Sequence, residues 1–341
     1  MLAAVLTRPG NVHGSPLRLQ DVPVPQPGER EVLVQVEACG ICRTDLHVVE
    51  GELPPVCEHV IPGHQVAGVV ERCGPGATRF HPGDRVGIAW LRWTCGQCGY
   101  CLAGKENLCP NARFTGYHAD GGYAEYAAVH EDFAYRLPTG LPAATATPLL
   151  CAGIIGYRAL RQAAIRPGCR LGLYGFGSSG HISIQVARHL GCTVYVMTRG
   201  ERHQALAREM GATWAGPADA MPPDKLDSAV LFAPAGELVL PALEALDMGG
   251  TLALAGIYLS DIPALNYDRH LFHEKTLRSV TANTRKDGEE LLGLAAEIPL
   301  RPKTTSFPLA EANLALQQLK RDAIAGSGVL LVNPAAPAPP R

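Results

Sequence analysis

The first part of the chain alternates apolar and polar residues with the two-residue period of a half-buried strand. Val32, Val34, Val36 and Ala38 occupy one face of this run, and polar side chains occupy most of the other. Two more runs, 65–70 and 122–129, have strand character, with Gly and Pro turns between them. The pattern predicts a β-rich region that forms a partly closed barrel.

Beyond about residue 138 the pattern changes to helices alternating with strands. In chain order the predicted elements are a helix over 151–164, a strand at 171–174, a glycine loop with the helix after it, strands at 193–197 and 228–232, a helix at 238–246 and a strand at 251–255. Strand, helix and strand at this spacing indicate a βαβ unit. Mixed elements follow from about 280, and the Pro- and Ala-rich stretch 333–341 is predicted to be a loose tail.

Length, charge and cysteine content narrow the class of protein. A length of 341 residues suggests two domains, and a net charge of -2 with no basic run argues against a nucleic-acid partner. No apolar stretch approaches ~20 residues and the apolar run at the N-terminus is too short for a signal peptide, so we expect a cytoplasmic protein without a membrane span. Eleven cysteines, an odd number, then favour metal ligation over disulfides.

Four cysteines occupy one short loop and predict a structural zinc site. Cys95, Cys98, Cys101 and Cys109 are separated by glycines that permit sharp turns, and the polar residues between them make a buried core of thiols a poor alternative. Four protein ligands leave no open coordination position, so this zinc would hold the loop together rather than act in catalysis.

The glycine loop carries a full dinucleotide fingerprint. Gly175, Gly177 and Gly180 form a GxGxxG motif that follows a predicted strand and opens a predicted helix. This context matters because the motif works by presenting backbone N–H groups at a helix N-terminus to a pyrophosphate. The sequence therefore predicts a dinucleotide cofactor.

Several motifs together resemble the medium-chain zinc alcohol dehydrogenases. They are the run 39–47 (CGICRTDLH), the run 62–65 (PGHQ), the run 151–157 (CAGIIGY), the four-cysteine loop and the glycine loop, in the order which that family uses. The resemblance implies an α/β protein with a GroES-like β-barrel catalytic domain over 1–150 and 281–341, which holds both zinc sites. A Rossmann domain with a doubly wound parallel sheet would occupy 151–280, with the active site in the cleft between the two domains.

The same resemblance implies a catalytic zinc on Cys42, His64 and Cys151, with the fourth position open for the alcohol oxygen. Spacing alone would allow Cys39 as a ligand, and the family pattern selects Cys42. The remaining cysteines, Cys57, Cys73, Cys169 and Cys192, match no motif and are interpreted as packing thiols.

Residues around the implied zinc match supporting roles in the family. Asp45 matches the carboxylate that orients the zinc-bound imidazole, and Thr44 and His47 match a proton relay through the cofactor ribose to solvent. Gln65 stands where the family usually has glutamate, and Ile155 stands where a threonine commonly meets the nicotinamide.

The residues after the second strand of the βαβ unit bear on cofactor choice. Thr198 occupies the position where NAD enzymes usually have an acidic residue, and Arg199 and Arg202 follow it, which suits a 2′-phosphate. We therefore expect NADP(H), with NAD(H) as the alternative. Arg43 matches a pyrophosphate contact of many relatives, whereas the stretch 326–329 has no equivalent of a C-terminal arginine that the family often adds.

Two residues bear on the substrate. Trp90 corresponds to an aromatic wall of the substrate pocket, and Leu53 replaces a tryptophan of enzymes for very small alcohols. The resemblance thus implies an alcohol dehydrogenase for a primary alcohol or aldehyde larger than ethanol, forming a homodimer or homotetramer. The alternatives are an NAD(H)-dependent alcohol or polyol dehydrogenase, an enal reductase and a non-catalytic zinc-binding member of the fold.

Overall fold

The computed structural model describes residues 1–333, so all but the first residue of the predicted tail lies outside the described part of the chain. The chain divides into two compact units. The first comprises Met1–Cys151, Ala282–Glu297 and the chain from Lys303 onward, and the second comprises Ala152–Thr281 and Ile298–Pro302. That one unit is catalytic and the other binds a dinucleotide stays a prediction.

The strands are, in chain order, β1 (Leu2–Leu6), β2 (Leu17–Asp21), β3 (Glu31–Ile41), β4 (Gln65–Cys73), β5 (Arg85–Ile88), β6 (Leu91–Trp93), β7 (Arg113–Phe114), β8 (Tyr126–His130), β9 (Ala134–Arg136), β10 (Arg170–Tyr174), β11 (Thr193–Met197), β12 (Trp214–Gly216), β13 (Leu226–Leu231), β14 (Leu246–Leu254), β15 (Thr276–Ser279), β16 (Thr304–Pro308) and β17 (Ser327–Leu331).

The α-helices are α1 (Arg43–Glu50), α2 (Gly99–Leu102), α3 (Ala143–Pro148), α4 (Ile154–Gln162), α5 (Ser178–His189), α6 (Glu201–Glu209), α7 (Val239–Ala245), α8 (Tyr267–His270), α9 (Arg285–Glu297) and α10 (Ala312–Lys320). Short 3-10 turns cover Val12–Gly14, Glu106–Leu108, Glu131–Phe133, Gly236–Leu238 and Leu309–Glu311, and Leu149–Gly153 is a π-helical turn.

The first unit is built on a β-sheet of seven strands. The order along it is β16-β17-β3-β4-β5-β9, and β8 also pairs with β3. The alternating run predicted at 31–38 forms the N-terminal part of β3, where Val32, Val34 and Val36 are fully buried. The alternation therefore orients one face of the longest strand into the core, as the period of two requires.

The second unit contains a six-stranded parallel sheet with the order β12-β11-β10-β13-β14-β15. Numbered within the unit this order is 3-2-1-4-5-6, so the chain moves outward from β10 in one direction and then returns to build the other half. The predicted βαβ unit is confirmed as β10, α5 and β11, and the glycine loop lies at the carboxyl end of β10.

Two predicted elements differ from those observed. The helix expected over 151–164 is part of a longer helical segment, 143–162, whose π turn follows Pro148, a residue with no N–H to donate. The strand expected from 122 begins at Tyr126, because the N–H groups of Gly122 and Tyr123 donate to the carbonyls of Gly63 and Pro62 at 2.8 and 3.0 Å. This pairing brings 122–123 against the segment that precedes β4.

The segment Ala143–Gln162 is long and apolar enough, by length and composition alone, to qualify as a membrane span. However, 61% of its most apolar window is buried inside the fold. The core helix of a globular protein passes the same test, so the segment is weak evidence for a membrane.

Candidate metal centres and dinucleotide loop

Cys42, His64 and Cys151 are far apart in the chain and converge in the first unit. Cys42 is the residue before α1, His64 precedes β4, and Cys151 lies in the π turn. Their sulfur and nitrogen atoms all lie within 4.8 Å of one another. The structure thus brings together the three residues that the resemblance selected, and it leaves Cys39 outside this cluster.

The Asp45 carboxylate connects two of these residues. Its Oδ2 accepts the N–H of Cys42 at 2.9 Å, which caps the start of α1, and its Oδ1 accepts the N–H of Gly63 at 3.2 Å. Oδ1 also lies 2.8 Å from His64 Nδ1. Because a carboxylate only accepts, Nδ1 carries the proton and Nε2 is the atom left to bind a metal.

A close approach at Gly63 holds the imidazole in place. Gly63 has a φ of +97°, and a Cβ there would lie 2.3 Å from Tyr123 Cδ1 and 2.8 Å from Cys39 Sγ. The fully buried ring of Tyr123 therefore packs directly against the backbone that carries His64. Glycine fits this position because it adopts the positive φ without strain and has no Cβ to collide with Tyr123 or Cys39.

The donor set fits a zinc ion. His64 is fully buried, and its Nε2 has no hydrogen-bond partner among the described residues. The sulfurs of Cys42 and Cys151 are 3.8 Å apart. Two thiolates that bind a tetrahedral zinc at ~2.3 Å would be about the same distance from each other. Two sulfurs and one nitrogen form a Cys₂His set with room for one more ligand.

The electrostatics around this cluster favour a cation. The hydrogen bond that Cys151 donates to Cys42 holds the pKa of the Cys42 thiol well below its usual value. The same hydrogen bond raises the pKa of the Cys151 thiol well above its usual value. Burial alone would lower the pKa of His64, but the charges and hydrogen bonds of Asp45 and Cys42 together outweigh it and raise that pKa to about 10. A thiolate and a carboxylate thus favour positive charge at this position.

The four cysteines of the 95–109 loop also converge. Cys95, Cys98, Cys101 and Cys109 lie within 4.8 Å of one another, and the sulfur–sulfur distances from Cys95 to Cys101 and to Cys109 are 4.0 and 3.6 Å. Gly96 and Gly104 both have positive φ at the turns. Backbone N–H groups of Gln97 and Cys98 lower the pKa of Cys95 to about 6, whereas burial raises that of Cys101 to about 11. Four sulfurs at this spacing form a closed tetrahedral donor set.

A second contact attaches this loop to a distant part of the chain. Glu106 accepts the backbone N–H of Arg285 at 2.7 Å and its Nη2 at 2.7 Å, and the guanidinium also lies over the ring of Phe133. Glu106 is 8% exposed, so its charge is buried and paired with that of Arg285. The loop is thereby anchored at the first residue of α9.

The residues expected to relay a proton lie on α1. Thr44 is buried with Oγ1 3.8 Å from Cys42 Sγ, and His47 follows one turn later. His47 Nδ1 contacts the carboxylate of Glu52, whose side chain is half exposed. Arg43, the expected pyrophosphate contact, is exposed at the first position of this helix.

Trp90 lies edge-to-face against the ring of His64, one of the candidate zinc ligands. The ring centroids of Trp90 and His64 are 5.1 Å apart in an edge-to-face arrangement, and Trp90 stacks on Phe114 at 4.7 Å. Aromatic rings therefore lie beside the cluster of Cys42, His64 and Cys151, and the assignment of Trp90 to a substrate pocket stays a prediction. Leu53 is half-buried and packs on the core of the first unit, and its N–H donates to the carbonyl of His47.

The two departures from the family pattern have different surroundings. Gln65 is 2% exposed and packs against Gly40, where a Cβ would lie 2.9 Å from Gln65 Cδ. Its neutral amide therefore sits in a tight buried position behind His64 without adding a second carboxylate. Ile155 is half-buried in α4 of the second unit.

The three glycines of the fingerprint differ in what they exclude. A Cβ at Gly175 would lie 2.9 Å from the backbone N of Ala233, and one at Gly180 would lie 2.7 Å from the carbonyl of Gly175. A Cβ at Gly177 would meet nothing within 4 Å, and Gly177 is the residue that precedes α5. Two glycines thus permit tight backbone packing, and the third leaves open space at a helix N-terminus, which is where a pyrophosphate fits.

The cofactor-selective positions lie at the end of β11. Thr198 is 4% exposed, its N–H donates to the carbonyl of Gly216, and its own carbonyl accepts from Gln204 Nε2. Arg199 and Arg202 are both exposed, on either side of the start of α6. No acidic side chain takes the place of Thr198, and the two guanidinium groups are accessible to a ligand.

Sequence reasoning missed three contributors. Tyr123, Glu52 and Arg285 each contact a candidate site residue or its loop. Tyr123 and Arg285 lie far from their partners in sequence, and only Glu52, five residues after His47, lay close enough to be suspected. None of them belongs to a spacing motif that could have identified it.

Comparison with known proteins gives a consistent result. A family model described as "Alcohol dehydrogenase GroES-like domain" matches residues 28–139, and one described as "Zinc-binding dehydrogenase" matches residues 180–297. The "Probable alcohol dehydrogenase AdhA" of Mycobacterium tuberculosis is 54% identical over 97% of this chain and 97% of its own length. An "Alcohol dehydrogenase" of Geobacillus stearothermophilus is 35% identical over 93% of this chain and 97% of its own. The solved cinnamyl alcohol dehydrogenase of Sorghum bicolor superimposes with a TM-score of 0.86 at 29% identity, covering 96% of this chain and 97% of that one.

The close approach at Gly63 yields a testable prediction. Gly63→Ala is expected to lower the free energy of unfolding by about 3 kcal/mol or more, because the new methyl group collides with Tyr123 and Cys39 in addition to straining the backbone. Gly83→Ala is the matched control, since Gly83 has a φ of +93° and nothing within 4 Å of a Cβ. The control should lose only about 1–2 kcal/mol. Denaturant unfolding of both variants measures the difference, and equal losses would contradict the proposed close approach.

Proposed function

The chain belongs to the zinc-type medium-chain alcohol dehydrogenases, and we propose that it catalyses reversible hydride transfer between a primary alcohol larger than ethanol and NADP(H). The observation that carries this proposal is the convergence of Cys42, His64 and Cys151, with the imidazole oriented by Asp45 and its Nε2 unpaired. Family membership supports alcohol oxidation and aldehyde reduction as the reaction class.

We assign Cys42, His64 and Cys151 as ligands of a catalytic zinc. A zinc ion held there would act as a Lewis acid that lowers the pKa of an alcohol hydroxyl. The chain's own contribution is orientation: Asp45 holds His64 in the tautomer that presents Nε2 and caps the helix that begins after Cys42. The wall formed by Trp90 and Phe114 restricts water and positions the carbon chain of the substrate beside His64.

Two residues of α1 are assigned to proton transfer. Thr44 Oγ1, close to Cys42 Sγ, would accept the hydroxyl proton of the substrate as it releases its own hydroxyl proton to the relay, and His47 would release a proton to solvent. The contact between His47 Nδ1 and the half-exposed Glu52 carboxylate fixes the orientation of the imidazole. Asp45 is a positioning residue, because it acts through His64 and Cys42.

The four thiols at 95, 98, 101 and 109 are assigned to a structural zinc. Their closed arrangement leaves no coordination position for a substrate. Together with the ion pair of Glu106 and Arg285, this zinc would hold a loop that contributes few apolar residues to the core.

NADP(H) is proposed as the cofactor. The loop of Gly175, Gly177 and Gly180 would hold the pyrophosphate, and the nicotinamide would accept or return the hydride. A pyrophosphate contact of Arg43 is proposed on the family resemblance alone. A neutral, buried Thr198 followed by exposed Arg199 and Arg202 favours a 2′-phosphate over a bare ribose hydroxyl. We also propose a cytoplasmic location and a homodimeric or homotetrameric state, on the family resemblance alone.

Removing one ligand from each cluster tests the metal assignment. Cys151→Ser is expected to reduce the zinc content from about two ions per chain to about one and to lower the turnover rate by more than about 100-fold, with little change in the unfolding temperature. Cys101→Ser is expected to lose one zinc as well, but with a clear fall in the unfolding temperature. Metal analysis, activity and thermal unfolding are measured on each variant. Cys57→Ser, an exposed thiol outside both clusters, should behave as the parent. An active Cys151→Ser enzyme would refute the proposed catalytic site.

Substitution of the two exposed arginines tests the cofactor proposal. Arg199→Ala combined with Arg202→Ala is expected to lower kcat/KM for NADP(H) by about 10- to 100-fold, because charge-assisted hydrogen bonds to the 2′-phosphate are lost, and to leave NAD(H) kinetics within about threefold. Arg18→Ala, an exposed arginine of the other unit, serves as the control for a lost charge. A parent enzyme that is faster with NAD than with NADP at low cofactor concentration would overturn the proposal.

A series of straight-chain aldehydes tests the substrate class. We expect kcat/KM to rise from acetaldehyde to butanal by about 10-fold or more, since each buried methylene contributes about 1–3 kcal/mol in an apolar pocket. Leu53→Trp should reverse this gain by filling the space that leucine leaves. A best rate with acetaldehyde in the parent enzyme would contradict the assignment.

A further inference from the structure

Two cysteines that match no motif contact each other in the second unit. Cys169 Sγ and Cys192 Sγ lie 3.2 Å apart, and the two residues are 2% and 8% exposed. Neither belongs to a metal-binding cluster. Cys57, also interpreted as a packing thiol from the sequence, is exposed, so that interpretation is wrong for Cys57. The contact of Cys169 with Cys192 is a specific pairing of thiols rather than general packing.

The register of the parallel sheet produces this pairing. Arg170 on β10 pairs with Thr193 on β11, so each cysteine immediately precedes a paired residue. Hydrogen bonds lie on both sides of the pair, from Thr193 N–H to the carbonyl of Cys169 and from Gly168 N–H to the carbonyl of Gly191, both at 2.9 Å. Neighbouring strands are about 4.8 Å apart, within the Cα separation that disulfides span. A bond between the two sulfurs would bring them from 3.2 Å to about 2.05 Å.

The surroundings favour reaction of one sulfur. The two sulfurs share a hydrogen bond, and this contact lowers the pKa of the Cys169 thiol to about 6 and raises the pKa of Cys192. Cys169 is thus the nucleophile of the pair, and Cys192 stands in contact with it as a resolving thiol. A sulfenic acid next to a second thiol condenses to a disulfide, and because the pair is 2% and 8% exposed, only a small oxidant can reach it.

We propose that Cys169 and Cys192 form a reversible disulfide on exposure to a peroxide. The Cys169 thiolate attacks one peroxide oxygen, the O–O bond breaks, and the departing hydroxide takes up a proton to become water, which leaves a sulfenic acid on Cys169. The Cys192 sulfur then attacks the Cys169 sulfur, the S–O bond breaks, and the departing hydroxide takes the Cys192 proton. Two thiols are oxidised to one disulfide, and one hydrogen peroxide is reduced to two waters. A small thiol reductant reverses the reaction.

The disulfide would join the two ends of a functional segment. Residues 169–192 contain β10, the glycine loop and α5, and the crosslink would close this segment at the amino ends of β10 and β11. The glycine loop lies at the opposite, carboxyl end of β10. The oxidised protein should therefore resist unfolding better while its dinucleotide affinity stays within about twofold, because a crosslink limits the unfolded chain more than the folded one.

The test uses the full-length, zinc-loaded protein, reduced and then treated with equimolar hydrogen peroxide. Peptide mapping after alkylation should find a peptide that links Cys169 to Cys192, formed before any zinc is released to a chromogenic chelator. The thermal unfolding midpoint should rise by roughly 5 °C and return after reduction. Peroxide that is consumed at Cys57 or at the zinc-binding thiols, with no 169–192 link, would overturn the proposal, and so would a link that appears only after zinc loss.

Two variants separate the roles of the sulfurs. Cys192→Ser should accumulate a sulfenic acid at Cys169 that dimedone traps, and it should show no rise in the unfolding midpoint on oxidation. Cys57→Ser is the matched control, since it removes an exposed thiol outside the pair and should still form the link. Absence of dimedone labelling at Cys169 in a folded Cys192→Ser protein would contradict its assignment as the nucleophile.

Discussion

The buried carboxylate of Asp45 sets the geometry on which the candidate catalytic centre depends. A charged group with 2% exposure requires compensation, and it receives the N–H groups of Cys42 and Gly63 and the Nδ1–H of His64. These donors belong to the start of α1 and to the segment before β4, so one side chain fixes Cys42 and His64, two proposed metal ligands, relative to each other. The same negative charge favours a cation beside Nε2 of His64. The positions of Cys42 and His64 and the negative charge beside them therefore both depend on the Asp45 carboxylate.

The two sulfur-rich clusters reach similar spacing by different means. The loop of 95–109 converges through local turns at positive-φ glycines, so its four thiols need little support from the rest of the fold. The cluster of Cys42, His64 and Cys151 depends on β3, β4 and a π turn that brings in the third ligand. A closed donor set suits a structural role, and an open one suits catalysis. The Glu106–Arg285 pair, which spans 179 positions, integrates the local loop into the larger fold.

The second unit concentrates two kinds of chemistry on one strand. At the carboxyl end of β10, the conformation and spacing of three glycines leave room for a pyrophosphate at the start of α5. At the amino end, the register with β11 brings Cys169 against Cys192. Because opposite ends of a five-residue strand are involved, a crosslink at one end can stabilise the unit without entering the ligand site at the other.

Features that depend on neighbouring residues could be predicted from the order of residues. The two-residue period of 31–38 predicted the central strand β3, the βαβ pattern predicted the nucleotide-type sheet, and the cysteine spacing predicted the loop that converges at 95–109. Strand period, turn propensity and short ligand spacing are local properties, so they can be read directly from the order of residues.

Contacts between residues far apart in the chain follow from the folded arrangement of strands and turns. Cys42, His64 and Cys151 were selected by resemblance, and their contact arises from the pairing of β3 with β4 and from the π turn. The packing of Tyr123 on Gly63, the anchoring of Glu106 by Arg285 and the contact of Cys169 with Cys192 had no sequence signal. Each depends on strand register and side-chain packing between segments far apart in the chain, and a sequence pattern of short range cannot specify these contacts.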